Sequence, residues 1–300
     1  MFTEENKNNS RSTDINICFI SDENYVKPMG IAITSILLNK LPTDNLNIYI
    51  LYRRISDRDI NKIKKLKKIA PFNVQFIRVS TALVSRLSVK ELHVTSSTYY
   101  KLFFSSLLPK HIEKLIYLDC DVVVNCSLAK LMNENMDEYF VKGVSDISYR
   151  SFSKMLGVGK YINAGILLID LKKWRENNIE EKFMDCALRY GNIKNFHEDQ
   201  GCVNLILSGK IDFFDDRWNV QLINTSGKYY SKSWGIQDRV DYFKSLAPQA
   251  YIIHFLGGEK PWNFLINENE KYYFRYAIKS PWKIKQFFVH IFNIFANLFF

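Results

Sequence analysis

Little in this chain is suited to cross-linking or to disorder. Only five of its 300 residues are cysteine (18, 120, 126, 186 and 202). That odd number, without a CxxC pair, argues against a disulfide framework and against a cysteine-based zinc site. Glycine (12) and proline (7) are scarce, which excludes collagen-like repeats, and a hydrophobic share of 47% with 15% aromatics excludes a disordered chain. No apolar run reaches the roughly 18 residues that a membrane-spanning helix needs. The opening MFTEENKNNSRSTD is polar and lacks the apolar core of a signal peptide. These absences predict a cytoplasmic chain with reduced thiols, neither crossing a membrane nor carrying a visible export signal.

What the chain does hold is positive charge. Lys plus Arg number 41 against 31 Asp plus Glu, a formal net charge of +10. Such a balance attracts anions, and nucleic acid, anionic lipid and sugar phosphates all qualify. The excess is concentrated in two places. After Glu270 come five basic residues (Lys271, Arg275, Lys279, Lys283, Lys285) and no acid, and the block from Arg53 to Lys68 sets eight basic residues against Asp57 and Asp59. The second block also reads as the solvated face of a helix.

Hydropathy patterning predicts an α/β domain. Ile15 to Ser21 (INICFIS) is a short apolar strand ending in the polar turn Asp22-Glu23-Asn24. Pro28 to Asn39 is helical, with Ile33, Ile36 and Leu37 on one face, and Leu46 to Tyr52 is again a strand. A basic helix follows from Ser56, an N-cap residue, to Ile69, and a third strand covers Asn73 to Val79. Strand, helix, strand, helix, strand is the signature of a parallel sheet covered by helices. Such sheets bind ligands at the carboxyl ends of their strands.

One strand end carries chemistry. Lys114 to Asp119 (KLIYLD) runs into Asp119-Cys120-Asp121. In extended backbone residues i and i+2 project to the same side, so both carboxylates can face one hard divalent cation, which in turn bridges phosphate oxygens. Two acids in a turn also occur by chance; the apolar strand ahead of them argues for a site. Two later segments add context. The small-residue turn Asn163-Ala164-Gly165 feeds the strand Ile166 to Asp170. In Ile252 to Trp262 (IIHFLGGEKPW) a strand delivers His254, glycines allow close backbone approach, and Lys260 offers a point charge for phosphate. A histidine at a strand end is commonly a hydrogen-bonded structural residue, but beside an Asp-x-Asp pair it qualifies as a third metal ligand.

Together, Asp119-Cys120-Asp121, NAGILLI (163–169) and HFLGGEKPW (254–262) resemble, in order and spacing, the family 8 glycosyltransferases. The resemblance spans about residues 15 to 283 and includes FISDENY (19–25), STYYKL (97–102) and EDQ (198–200). Ser280-Pro281-Trp282-Lys283 is similar to the C-terminal extension of that family's lipopolysaccharide core glucosyl- and galactosyltransferases. The resemblance implies a GT-A fold, an α/β nucleotide-sugar-binding mixed sheet with helices on both faces and a C-terminal helical extension. It also implies retaining, metal-dependent transfer of glucose or galactose from a UDP-hexose to a saccharide acceptor. On this reading residues 1–14 are a disordered tail, 15–225 the catalytic domain, 226–270 the part supplying His254 and Lys260, and 271–300 a basic, aromatic, amphipathic tail.

Roles follow from the same resemblance. It implies that Asp119, Asp121 and His254 bind the metal, and a nitrogen ligand beside carboxylates suits Mn²⁺ better than Mg²⁺. Gly257 and Lys260 would contact the diphosphate. Asp22, Asn24 and Tyr25 match contacts to uracil and ribose, with an Asx-type turn as the alternative. Lys101 stands where the family commonly has a cation near the donor, often Arg, and keeps the charge without the bidentate fork. Asp146, Asn163 and Asp199 match positions that hydrogen-bond the transferred sugar. Gln200 matches the position nearest the anomeric carbon, where a neutral amide fits stabilisation of an oxocarbenium-like transition state. His93 is a candidate for the acceptor site.

From Ile284 on, Phe287, Phe288, Ile291, Phe292, Phe295, Leu298 and Phe299 recur at helical spacing behind a basic lead-in. Such a helix either docks on the catalytic domain or lies on a membrane. Basic and aromatic residues together favour an anionic bilayer surface, where a lipid-linked glycan such as lipopolysaccharide would present itself, and predict a peripheral position on the inner face. Nucleic acid fits poorly, because no binding motif accompanies the charge. Three rivals remain: a glycogenin-like self-glucosylating transferase, an inactive transferase-like scaffold, and a haloacid-dehalogenase-type phosphohydrolase. In the last, LIYLDCDVVV (115–124) would be the nucleophile strand and Asp215-Asp216 the later acidic pair. Three strands precede that segment here, whereas a nucleophile strand normally opens its domain.

Overall fold

The computed structural model of the chain describes residues 12–80, 98–190, 196, 198–225, 235–263, 267–283, 288 and 291. His93, residues 1–11 and the amphipathic stretch from 284 on, apart from 288 and 291, lie outside the described residues. Ten strands are described: β1 (Thr13–Ser21), β2 (Asp44–Tyr52), β3 (Asn73–Arg78), β4 (Lys114–Leu118), β5 (Val122–Val124), β6 (Val141–Gly143), β7 (Ile166–Asp170), β8 (Ile211–Phe213), β9 (Val220–Ile223) and β10 (Ile252–Leu256). Seven form one sheet in the order β3-β2-β1-β4-β7-β6-β8, and three form a second in the order β5-β10-β9. The principal helices are α1 (Val26–Asn39), α2 (Asp57–Lys65), α3 (Tyr149–Leu156), α4 (Leu171–Glu176), α5 (Ile179–Tyr190), α6 (Glu198–Ile206), α7 (Gln237–Leu246) and α8 (Glu270–Ala277).

The large sheet is covered on both faces, and the two-residue period of its strands sorts the core into two halves. Ile15, Ile17 and Phe19 of β1 join the cluster that includes α1 and the small sheet, whereas Cys18 and Ile20 join the cluster that includes α5. Ile116 and Leu118 against Leu115 and Tyr117 repeat the division in β4, and Ile166 and Leu168 against Leu167 and Ile169 repeat it in β7. Ser56 caps α2 as its sequence predicts, its Oγ accepting from Asp59 N at 3.2 Å. Ile63 is the buried residue of that helix, so the basic block is a solvated face.

Three features depart from the reading of the sequence alone. First, β1 begins at Thr13, whose neighbours Asp44 and Asn45 pair it and Asp14 into the sheet, so these two residues do not belong to a disordered tail. Second, the hydropathy pattern alone predicts a parallel sheet, and the mixed sheet that the resemblance implies is the one found: β1 to β4 are parallel, and β7 runs antiparallel to both β4 and β6. That reversal sets the amino end of β7 beside the carboxyl end of β4, with Leu118 opposite Ile166. Third, a boundary at 271 falls inside α8. Tyr273, Phe274, Tyr276 and Ala277 are buried, and the buried Trp282 lies so close over Gly30 of α1 that a β-carbon there would stand 2.1 Å from its ring.

Candidate active site

The strand order reverses between β1 and β4: β2 and β3 build outward on one side of β1, and β4 pairs with its other side; ligands bind at such switch points, beyond the carboxyl ends of the strands. A cleft of about 640 Å³ opens there. All residues assigned from the sequence to metal, nucleotide or sugar line it: Asp22, Asn24 and Tyr25 after β1, Lys101 from the helical turn ahead of β4, Asp119 and Asp121 after β4, Asp146, Asn163, Asp199 and Gln200, and His254, Gly257 and Lys260 on and after β10.

Strand pairing explains why distant segments meet. Asp119 N donates to Gly165 O at 2.7 Å, which ties the Asp-x-Asp turn to the turn before β7. His254 is registered opposite Val122, the residue after Asp121, and Phe255 N donates to Asp121 O at 3.0 Å. Between the two acids, Cys120 points the other way and its buried thiol donates to Ile20 O at 3.0 Å. The i, i+2 projection therefore holds. His254 Nε2 lies 3.3 Å from Asp121 Oδ1 and 3.7 Å from Asp119 Oδ2, and one ligand atom from each of the three residues falls within 4.8 Å of the others.

Positive groups of the chain itself keep Asp121 ionised. Burial alone would raise the Asp121 carboxyl, but Lys260, whose Nζ stands 2.7 Å from Oδ2, and His254 hold it well below the usual carboxylate range. Lys260 is anchored by donating to Phe255 O at 2.5 Å, after a turn at Gly257 whose φ of +77° favours glycine. Tyr117 donates its hydroxyl to Asp119 Oδ1. The donors present, two carboxylates and an imidazole nitrogen, fit a divalent transition metal.

Lys101 is more enclosed than its expected place near the donor suggested. Its buried Nζ donates to Ala164 O at 3.0 Å, pairs with Asp199 Oδ2 at 2.6 Å and lies 3.7 Å from Asp119 Oδ1. Burial opposes its charge, yet Asp119 and Asp199 outweigh that and raise its pKa. Burial in turn pushes the Asp199 carboxyl up, Lys101 opposing. The amine thus ties together the Asp-x-Asp turn, the turn before β7 and α6.

On the far side three polar groups converge on one carboxylate. Asp146 Oδ2 accepts from Asn163 Nδ2 at 2.9 Å and Gln200 Nε2 at 3.1 Å, and Oδ1 accepts from Ser148 N at 2.7 Å. Gln200 is pinned at its other end, its Oε1 accepting from Ala164 N at 2.9 Å. At the opposite end Asp22 Oδ1 accepts from Asn24 N at 2.8 Å and Tyr25 N at 3.0 Å, an Asx turn that leads into α1. The Tyr25 ring, 39% exposed, meets the edge of Trp262. Burial and Asp121 push its phenol up to about 12.

Two residues went unassigned in the sequence. Gly165 sits where a β-carbon would meet both His254 and Asp119. Asn219, fully buried just before β9, contacts His254 Nδ1 through its Oδ1 at 3.2 Å; a polar residue bordering an apolar strand was its only signal. The acidic pair of the phosphohydrolase reading is not at the cleft. Asp215 pairs with Arg217 at 2.5 Å, and Asp216 accepts from the Tyr242 hydroxyl at 2.7 Å.

The sequence profile of glycosyl transferase family 8 matches residues 16–265. A lipopolysaccharide 1,2-glucosyltransferase of Escherichia coli K12 is 28% identical over 285 residues, covering 92% of this chain and 81% of that protein. General stress protein A of Bacillus subtilis is 29% identical over 278 residues, covering 89% of this chain and 94% of its own. Among solved structures, the galactosyltransferase LgtC in complex with donor and acceptor sugar analogs superposes with a TM-score of 0.71 at 21% identity, over 90% of this chain and all (100%) of that one. This last likeness concerns the fold, which is that of a GT-A glycosyltransferase.

Proposed function

The chain belongs to glycosyl transferase family 8, and on that footing we propose that it transfers glucose or galactose, with retention of configuration, from a UDP-hexose to a saccharide on lipopolysaccharide or another lipid-linked surface glycan. The observation that carries this reading is the meeting of Asp119, Asp121 and His254 with Lys260 on one side and the Asp146, Asn163, Asp199 and Gln200 group on the other. The first set suits a diphosphate and its cation, and the second suits sugar hydroxyls.

Asp119, Asp121 and His254 would hold Mn²⁺. A cation so bound supplies Lewis-acid stabilisation of the departing UDP. Lys260 adds a positive charge beside the diphosphate, and Tyr25 offers a face for the uracil with Asp22 and Asn24 at its edge. Asp146, Asn163 and Asp199 orient the hexose. Gln200, held by Ala164 N, Asp146 and the Tyr161 hydroxyl, presents a neutral dipole to the positive charge that develops at the anomeric carbon.

Retention is supported by what the cleft's carboxylates, among the described residues, already do. Asp119 and Asp121 face the cation position, Asp146 accepts three hydrogen bonds, Asp199 is paired with Lys101, and Asp22 closes the Asx turn. An inverting transferase needs a free carboxylate base behind the acceptor hydroxyl. With these so engaged, an oxygen of the departing diphosphate takes that proton, on the face from which UDP leaves.

The net charge of +10, the basic residues from Lys271 to Lys285 and the aromatic residues that follow them support a peripheral position on an anionic inner membrane surface. Among the described residues no helix is long and apolar enough to cross a membrane. The test is hydrolysis of a panel of UDP-glucose, UDP-galactose, other UDP-sugars and GDP-mannose by metal-stripped protein, with and without added Mn²⁺. Turnover of a UDP-hexose only when Mn²⁺ is restored is the expected result. Failure to turn over any UDP-hexose, or equal rates in EDTA, would overturn the reading.

A further inference from the structure

We propose that Asn219 is a positioning residue of the cation site: together with Asn163 it carries the hydrogen-bond polarity set by the Gly165 backbone N–H to His254, so that the ring hydrogen sits on Nδ1 and the Nε2 lone pair is left for the cation. The inference rests on reading Asp119, Asp121 and His254 as that site.

The polarity can be followed atom by atom. A backbone N–H only donates, so the Asn163 atom 3.1 Å from Gly165 N is the acceptor, Oδ1. Its other terminal atom, Nδ2, then donates to Asp146 Oδ2 at 2.9 Å, as a carboxylate requires. The Asn219 atom 3.0 Å from Asn163 Oδ1 must in turn be the donor, Nδ2. That leaves Asn219 Oδ1 facing His254 Nδ1 at 3.2 Å, and an amide oxygen there demands that Nδ1 carry the hydrogen. Nε2 is thereby the nitrogen left to face Asp121 Oδ1 and Asp119 Oδ2, at 3.3 and 3.7 Å, and the space between the three atoms takes positive charge: a divalent cation on the Nε2 lone pair or, in its absence, a second ring hydrogen.

Burial makes this chain of bonds strict. Asn163, Asn219, His254 and Asp146 are all buried, so flipping either amide sets oxygen against oxygen at a cost of unpaired buried polar groups. Gly165 has a second part in the arrangement, since the absence of its side chain leaves room for the His254 ring. The chain also ends in the sugar pocket, where Gln200 Nε2 shares Asp146 Oδ2 with Asn163. Asn219 does not line the cleft, so it acts through its neighbours.

Two substitutions separate its two bonds. Asn219→Leu removes both, and loss of such an outer partner weakens metal binding by about 10- to 100-fold. Asn219→Asp still accepts the ring hydrogen but cannot donate to Asn163, so it keeps wild-type Mn²⁺ affinity while UDP-hexose turnover falls. The experiment titrates metal-free wild type, both variants and His254→Ala with Mn²⁺, reading free Mn²⁺ by electron paramagnetic resonance and checking folding by thermal melts. Nitrogen-15 NMR of labelled histidine in the metal-free wild type reports which ring nitrogens carry hydrogen, and Nδ1 of His254 is expected to carry one whether or not Nε2 does. A hydrogen on Nε2 alone, or undiminished Mn²⁺ affinity in Asn219→Leu, would overturn the inference while leaving the cation site standing. Wild type binding Mn²⁺ no better than His254→Ala would remove the cation-site reading and this inference with it.

Discussion

Gly165 and His254 compete for the same space: a β-carbon added to the glycine would stand 2.2 Å from Cε1 of the ring, and 2.7 Å from Asp119 Oδ2. The small-residue turn before β7 is therefore a requirement of the cation site. Gly165→Ala is predicted to lower UDP-hexose turnover by about 10²-fold, the scale on which an ångström of misplacement acts, and to weaken Mn²⁺ binding. Gly159→Ala, where a β-carbon meets nothing within 4 Å, should leave both unchanged. Parallel Mn²⁺ titrations and rates for the two variants check this.

Lys101→Met should unsettle the fold as well as the site. Both partners of its short pair with Asp199 are buried, and removing one member of such a pair costs about 3–5 kcal/mol, or roughly 10 °C in Tm. The sign of the pH dependence follows from Asp199. Its carboxyl is raised by burial, and without Lys101 it rises further. The folded state then holds a proton that the unfolded chain releases, so the variant loses stability as pH rises through the folded pKa and regains it on acidification. Melts of variant and wild type across neutral to mildly acid pH should converge toward the acid end.

Two truncations should behave differently. Ending the chain after residue 283 is predicted to reduce sedimentation with anionic vesicles while leaving UDP-hexose hydrolysis nearly intact. Ending it after 279 removes the buried Trp282 from its seat over Gly30, and loss of a buried Trp costs about 3–5 kcal/mol. Insolubility or unfolding of the chain that ends after 283 would make the residues beyond it part of the core and contradict the membrane reading.

Asp216→Asn should leave turnover near wild type, because that carboxylate lies outside the cleft and accepts from Tyr242. A large loss of activity would reopen the phosphohydrolase reading.

What could be read in advance follows from which signals are local. Asp119 and Asp121 are two positions apart and follow an apolar strand, and His254 and Lys260 share one short segment, so local pattern brings them forward as candidates and the family resemblance supplies their roles. The direction of β7 was not legible, because pairing direction is decided by tertiary neighbours and not by its own ILLID pattern. Asn219 lies 35 positions from the ring it contacts, with no periodicity to connect them. Tyr273, Phe274 and Trp282 alternate with lysines and arginine and so read as an amphipathic tail; only the space left by Gly30 reveals that they belong to the core. Lys101 announced a charge in the sequence but not the two carboxylates that enclose it.

The central claim is retaining transfer from a UDP-hexose at a cation site made by Asp119, Asp121 and His254. Proton NMR of the first product formed from an α-linked UDP-hexose, with Mn²⁺ present, tests it most directly. The account predicts an α-anomeric coupling in that product, no product in EDTA, and a rate at least about 10²-fold lower in Asp121→Asn, as loss of charge stabilisation at a leaving group implies. A β-anomeric first product, or an unchanged rate in EDTA, would contradict it.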